Sequence, residues 1–276
     1  MRISEIFYPS SLNELLELVA SNSGIVLLAG GTELAGRQTS RTLEFPEQIA
    51  SIARIPELRK TVRSEQYVEV GSATTLSGLL SLSSGALPFP LPAAIHAIAN
   101  GAVRNAATLG GNLCCKWRFM DLWPFLACLD AQIELRSRHA SRWANLGHLC
   151  DEKGLPSVPD GAILTRVRIP VHEHNFVFQK KLGNSRFPSP ETASFVCMAD
   201  IDQNKIGTFK LIFAGENALR NKDIETSLIG RRIPLSQKES QQVIEAYSEA
   251  FEKLTGRKSF QLDALVEESL SRLVPL

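Results

Sequence analysis

Ile95–Ala131 reads IHAIANGAVRNAATLGGNLCCKWRFMDLWPFLACLDA, and the rest of the chain is organised around it. Ala94, Ile95, Ile98 and Ala99 recur at helical spacing, which predicts a helix with one apolar side. A turn-rich segment follows, Thr108-Leu109-Gly110-Gly111-Asn112, and then an apolar helical run from Leu122 to Leu129. A glycine pair between helices lets backbone come close to a neighbour, because glycine has no Cβ and accepts positive φ. Successive exposed N–H groups in such a turn make an anion-binding concavity, with Thr108 and Asn112 adding side-chain donors. The plainer reading is a helix C-cap followed by a tight loop.

A second segment of the same kind lies upstream. Ile25–Ala29 is a continuous apolar run of strand length and leads into Gly30-Gly31-Thr32-Glu33-Leu34. Strand followed by Gly-Gly-Thr suits a phosphate-cradling turn as well as an ordinary β-turn. It is neither the G-x-G-x-x-G fingerprint nor a Walker loop, since no Gly-Lys-Ser/Thr follows. Two such turns, about eighty residues apart, invite a two-sided clamp on an extended anionic ligand such as a dinucleotide. Asp121 is placed to accept from a ribose hydroxyl, to cap the Leu122 helix, or to do both.

The 276 residues suffice for one large domain or two ordinary ones, and a hydrophobic content of 44% can fill a core. A net charge of +1 leaves no electrostatic footprint for nucleic acid or for an anionic membrane. The opening MRISEIFYPS lacks the apolar region of a signal peptide, and no run approaches the ~20 apolar residues of a membrane span. The expectation is a soluble, cytoplasmic protein. Cys114, Cys115, Cys128, Cys150 and Cys197 form no C-x-x-C and suggest no metal site. Cys128 reads as core; Cys114 and Cys115 either neighbour a ligand or pack as small side chains.

Elsewhere, residues 10–22 read as an amphipathic helix capped by Ser10 or Ser11, and residues 47–55 as a short strand and turn. Tyr67–Ser72 alternates as a strand, followed by Ala73-Thr74-Thr75, whose hydroxyls line the site or cap the Leu76–Leu82 helix. Gln132–Arg136, Leu164–Pro170 and Phe176–Lys181 alternate as strands, while Arg138–Leu155 is polar and irregular. Val196–Asp202 and Thr208–Ala214 form an expected hairpin, and helices are expected over 220–230, 236–254 and 263–273. A change in composition near 171–175 sets a domain boundary.

LLAGGTEL (Leu27–Leu34), VEVGSATTL (Val68–Leu76) and VRNAATLGGNL (Val103–Leu113), with Asp121 and Leu126–Ala131, resemble the FAD-binding subunit of the molybdenum hydroxylases. This is the xanthine dehydrogenase and carbon monoxide dehydrogenase flavoprotein family, and the resemblance runs over nearly the whole chain. It implies an α+β chain. A two-lobed FAD-binding domain of the vanillyl-alcohol-oxidase (PCMH) type would span residues 1–172, with a lobe boundary near 55–65. A small α+β domain would span 173–276. It further implies that Leu27, Leu28, Ala29, Gly30, Gly31, Thr32, Glu33 and Leu34 wrap the FAD pyrophosphate. Thr108, Gly110, Gly111 and Asn112 would face it from the other lobe, with Ala73 and Thr74 lining the site. Asp121 would hold the ribose or an adjacent part of the adenosine. Ile98 and Val103 match positions near the flavin and its linker, and Leu164 and Lys180 match positions around adenine and isoalloxazine, with Lys181 adjacent. The family commonly reads Ala-Ser-Pro-Ala-Gly-Asp before the ribose aspartate, where this chain has the bulkier, more basic Cys115-Lys116-Trp117-Arg118-Phe119-Met120-Asp121. Trp117 there would stack on a ring or pack at a subunit interface.

The resemblance implies an oxidoreductase subunit with no catalytic side chain and no metal of its own. Electrons would come from a [2Fe-2S] subunit fed by a molybdopterin-binding large subunit, and pass through FAD to NAD⁺ or another acceptor. A xanthine or purine dehydrogenase is the first expectation. A free-standing FAD oxidoreductase and a non-enzymatic nucleotide-binding or assembly module are the alternatives. Replacing Gly110 or Gly111 with Val is expected to abolish FAD retention and leave the fold largely intact.

Overall fold

A computed structural model describes residues 5–36, 38, 45–82, 85–150, 155–183 and 192–274. The chain divides into two compact units: Met1–Trp117 with Leu129–His172, and Arg118–Cys128 with Glu173–Leu276.

The first unit opens with β1 (Glu5–Phe7), α1 (Leu12–Ser21), β2 (Val26–Leu28), the short α2 (Thr32–Gly36) and β3 (Gln48–Ser51). The three strands form an all-parallel sheet in the order β1-β3-β2. Ser11 caps α1 by accepting from the Glu14 amide, and Leu12, Leu15 and Leu16 turn inward. They pack with Ala50, Ile55 and Leu58.

Next come β4 (Thr61–Arg63), β5 (Tyr67–Gly71), α3 (Leu76–Leu80), α4 (Leu91–His96), α5 (Gly101–Ala106) and α6 (Leu109–Leu113). After α7 (Leu122–Cys128), which belongs to the other unit, β6 (Gln132–Arg136), β7 (Ser141–Asn145) and β8 (Ile163–Pro170) complete a five-stranded antiparallel sheet, β4-β5-β8-β6-β7. Val167 and Ile169 of β8 are buried on one face while Arg166 and Arg168 lie on the other, as period-two alternation requires. On that outer face Arg166 and Arg168 bridge Glu69 and Glu134, and Arg168 is sandwiched 4.4 Å from the Tyr67 ring and 4.1 Å from Trp143.

The second unit carries β9 (Phe176–Leu182), β10 (Ala193–Asp202), β11 (Lys205–Ala214) and β12 (Ala218–Arg220) as an antiparallel sheet, with α8 (Lys222–Leu228), α9 (Gln237–Thr255) and α10 (Phe260–Ser271). Gln203 and Asn204, at φ +47° and +59°, make the tight turn of the β10–β11 hairpin. A capping box, Ser236 with Glu239, starts α9.

Three sequence expectations are corrected. The helix through Ile95 stops at His96, because Ala99 takes a left-handed conformation (φ +44°) and lies exposed; α5 then starts afresh, capped by Asn100. The Thr108–Asn112 segment is not a loop but a helical turn, capped by Thr108. The Leu122 helix does not stay with the first unit but belongs, with Arg118–Asp121, to the second. All seven residues of α7 are buried, α7 packs on β10 and β11, and Ala127 accepts a bond from Arg220 at 3.1 Å.

Candidate functional site

The two glycine turns of the first unit meet. Gly30 ends the β2 run, and a Cβ there would collide with the backbone carbonyl of Ala106 and crowd the Ala107 amide. Ala106 closes α5, and Thr108, two residues on, caps α6. Leu76 donates to the Ala107 carbonyl at 2.8 Å, Leu109 to Thr74 at 2.9 Å and Gly110 to Ser72 at 2.8 Å. The end of β5, the start of α6 and the β2 turn therefore form one backbone junction.

This geometry corrects the reason for the glycines. At Gly110 a Cβ would lie 2.7 Å from the Ser72 Cβ and 2.9 Å from its carbonyl oxygen, so the residue is small to let two backbones pack. Its N–H is taken by Ser72, that of Gly111 by the Thr108 hydroxyl at 3.1 Å and that of Asn112 by the Thr108 carbonyl at 2.9 Å. The anion-binding concavity expected at Gly110–Gly111 does not form from those amides. Valine at Gly110 would strike backbone, so the substitution is not neutral for the fold.

Gly31 is left-handed (φ +66°), and the α2 ladder begins only with Ala35 donating to the Gly31 carbonyl at 2.9 Å. The amides ahead of it precede that ladder. Leu27, Leu28, Ala29, Gly30, Gly31, Thr32, Glu33 and Leu34 are all half-buried. Ala73 is buried in the core, and Thr75 rather than Thr74 caps α3. The Thr74 hydroxyl is left buried without a hydrogen-bond partner among the described residues, and so is the Ser72 hydroxyl, which sequence reasoning did not single out. Each is a group that a bound polar ligand or an ordered water would satisfy. Ile98 is buried, Val103 half-buried, and Leu164 buried on β8, against which α6 packs.

Asp121 and Lys180 fall in the second unit. Asp121 accepts from Lys181 Nζ at 2.7 Å and from the Ser194 hydroxyl at 2.8 Å, so each carboxylate oxygen already has a partner. Lys180 is exposed, 3.7 Å from Glu268, and it is its neighbour Lys181 that reaches Asp121. Within the unusual loop, Arg118 donates to the Thr192 carbonyl, Phe119 donates to the Gly215 carbonyl at 2.8 Å and stacks edge-on against Trp123, and Trp117 is 59% exposed. Desolvation pushes the Cys114 thiol up to about 12, which keeps it protonated and argues against a reactive cysteine beside the turn.

Residues 2–172 match the family described as the FAD binding domain in molybdopterin dehydrogenase. The chain belongs to this family. The junction of the two glycine turns lies inside the matched span. The chain is 34% identical to aldehyde oxidase 2 of Cavia porcellus over 191 residues, 65% of this chain and 14% of that protein. It is 26% identical to the xanthine dehydrogenase FAD-binding subunit of Escherichia coli O157:H7 over 209 residues, 74% and 71% of the two chains. It thus spans a small part of the first relative and about seven-tenths of the second. In the reconstituted CO dehydrogenase from Oligotropha carboxidovorans one chain shares the fold, with a TM-score of 0.78 at 20% identity over 99% of this chain and 96% of that one.

The residues present fit FAD. Amides at the start of α2 precede its hydrogen-bond ladder, the kind of donor a pyrophosphate takes, and Thr74 and Ser72 hold orphaned hydroxyls at the junction. No helix among the described residues is long and apolar enough to cross a membrane.

Proposed function

We propose that this chain is the FAD-carrying electron-transfer subunit of a cytoplasmic molybdenum hydroxylase complex. A [2Fe-2S] subunit and a molybdopterin-binding subunit are its partners, and NAD⁺ or another acceptor takes the electrons. The relatives named for xanthine dehydrogenase make a purine the first substrate to test for the assembled complex. The observation that carries the reading is the meeting of Gly30 with Ala106–Ala107 inside the span that matches the FAD-binding family. The parallel three-stranded sheet, followed by the antiparallel five-stranded sheet, supports a two-lobed domain of the vanillyl-alcohol-oxidase type with its lobe boundary near 55–65.

Bound FAD supplies reversible two-electron chemistry that no side chain offers. The chain's own residues bind and orient it. Amides of the Gly31–Leu34 turn take the pyrophosphate from one side. The Thr108 turn, braced by Ser72 and Thr74, closes the other with the side chains of Thr108 and Asn112. Leu164, Ile98 and Val103 supply apolar walls that exclude water. Asp121, in the second unit, gives one carboxylate oxygen to Lys181 and the other to Ser194.

The test is a visible absorption spectrum of the purified full chain after incubation with FAD and desalting. A retained flavin spectrum, without turnover of a purine until the partner subunits are added, is the expected result. A chain that stays colourless under reconstitution contradicts the proposal.

A further inference from the structure

The β8 strand carries a β-bulge where the sequence shows only smooth alternation. Along β6, Glu134 pairs with Arg166 but Leu135 pairs with Leu164, so Thr165 has no opposite residue. Consecutive strand side chains normally point to opposite faces. Here Thr165 and Arg166 both reach Glu134: the Thr165 hydroxyl donates to Oε2 at 2.5 Å, and Arg166 donates through Nε and Nη2 at 2.8 Å each. Glu134 is 3% exposed, and Thr165 is 1% exposed. A one-residue slip inverts every side chain beyond it. Without the bulge Leu164 would share the outer face with Arg166 and Arg168. With it, Leu164 turns to the face of Val167 and Ile169.

The bulge also touches the glycine junction. The Thr165 carbonyl accepts the Ser72 amide at 2.9 Å, and the Ser72 carbonyl accepts the Gly110 amide at 2.8 Å. One unbroken path leads from the Glu134 carboxylate through Thr165 and Ser72 to the second turn.

We propose that Thr165 and Glu134 are positioning residues for FAD: their hydrogen bond fixes the bulge that aims Leu164 and seats the Ser72–Gly110 contact. The inference rests on the FAD reading of the first unit and assigns a role to two residues that touch no ligand themselves. Glu69 provides the comparison. It lies on the same outer face and binds Arg166 and Arg168 at 2.8 and 2.7 Å, but it has no bond to Thr165.

The experiment measures the FAD dissociation constant and the visible circular dichroism of the bound flavin in the full chain, beside the thermal midpoint of the apoprotein. Thr165→Val removes the hydroxyl, Thr165→Ser keeps it, and Glu69→Gln weakens the network away from the bulge. Loss of one hydrogen bond's worth of positioning predicts that Thr165→Val weakens FAD binding about tenfold and alters the flavin dichroism. Thr165→Ser should restore both, and Glu69→Gln should lower the thermal midpoint while leaving FAD affinity within about twofold. Equal FAD affinity in Thr165→Val and wild type overturns the inference alone. So does a loss of affinity that tracks the thermal midpoint in all three variants. A wild-type chain that takes up no FAD overturns the cofactor reading, and the inference with it.

Discussion

Glycine does two different jobs at this site. Gly30 and Gly110 are small because another backbone passes where a Cβ would be, whereas Gly31 is glycine because its φ is +66°. The sequence marks all of them as turn residues but cannot separate these reasons, since the neighbours Ala106 and Ser72 lie far along the chain. Gly31→Ala is the cleaner probe, with only Leu28 Cδ1 near its Cβ position, at 3.4 Å. Holding alanine in the left-handed region costs about 1–2 kcal/mol. We expect urea unfolding to register that loss, with FAD retention falling beside it. An unchanged FAD affinity would separate the first turn from the cofactor. Ser72 and Thr74 illustrate the other limit of the sequence: a hydroxyl is visible there, but its lack of a partner is not.

At the level of elements, periodicity did most of the work. The Ser11 cap, the alternation of β8 and the Gln203–Asn204 hairpin were legible because each is a local pattern. β1, β4 and β7 were not, being short strands that owe their existence to the neighbours they pair with. The polar run that hid β7 holds Trp143, which packs over the Arg166 and Arg168 guanidinium groups. The outer-face network also sets an acid sensitivity. Although burial opposes it, hydrogen bonds from Arg166, Thr165 and Ser141 and the Arg166 charge hold the Glu134 carboxyl at about 2, below its ordinary 4.5. A carboxyl depressed in the folded state stabilises it above the unfolded value, and that contribution is lost as pH falls through the folded value. Thermal midpoints should therefore drop more steeply for wild type than for Glu134→Gln between about pH 4.5 and 2. Parallel curves would show that Glu134 is not held ionised by the fold.

Across the whole molecule, the division at residue 172 is visible in composition, but the passage of Arg118–Cys128 into the second unit is not. Apolar spacing identifies α7 as a core helix without saying whose core. Its burial against β10 and β11 predicts that a fragment ending at 172 leaves Leu122, Phe125 and Leu126 uncovered. Such a fragment should bind a hydrophobic dye and aggregate where the full chain does neither. A monodisperse fragment that excludes the dye would mean that α7 packs equally well without the second unit.

We place FAD at the junction of the two glycine turns. Hydrogen exchange of the full chain with and without FAD reads that placement amide by amide. Amides of residues 31–34 should become protected on FAD addition. Those of residues 109–112, already bonded within the chain, should change less, and peptides from 205–255 should stay unaltered. Protection confined to the second unit, with residues 31–34 exchanging as before, would contradict it.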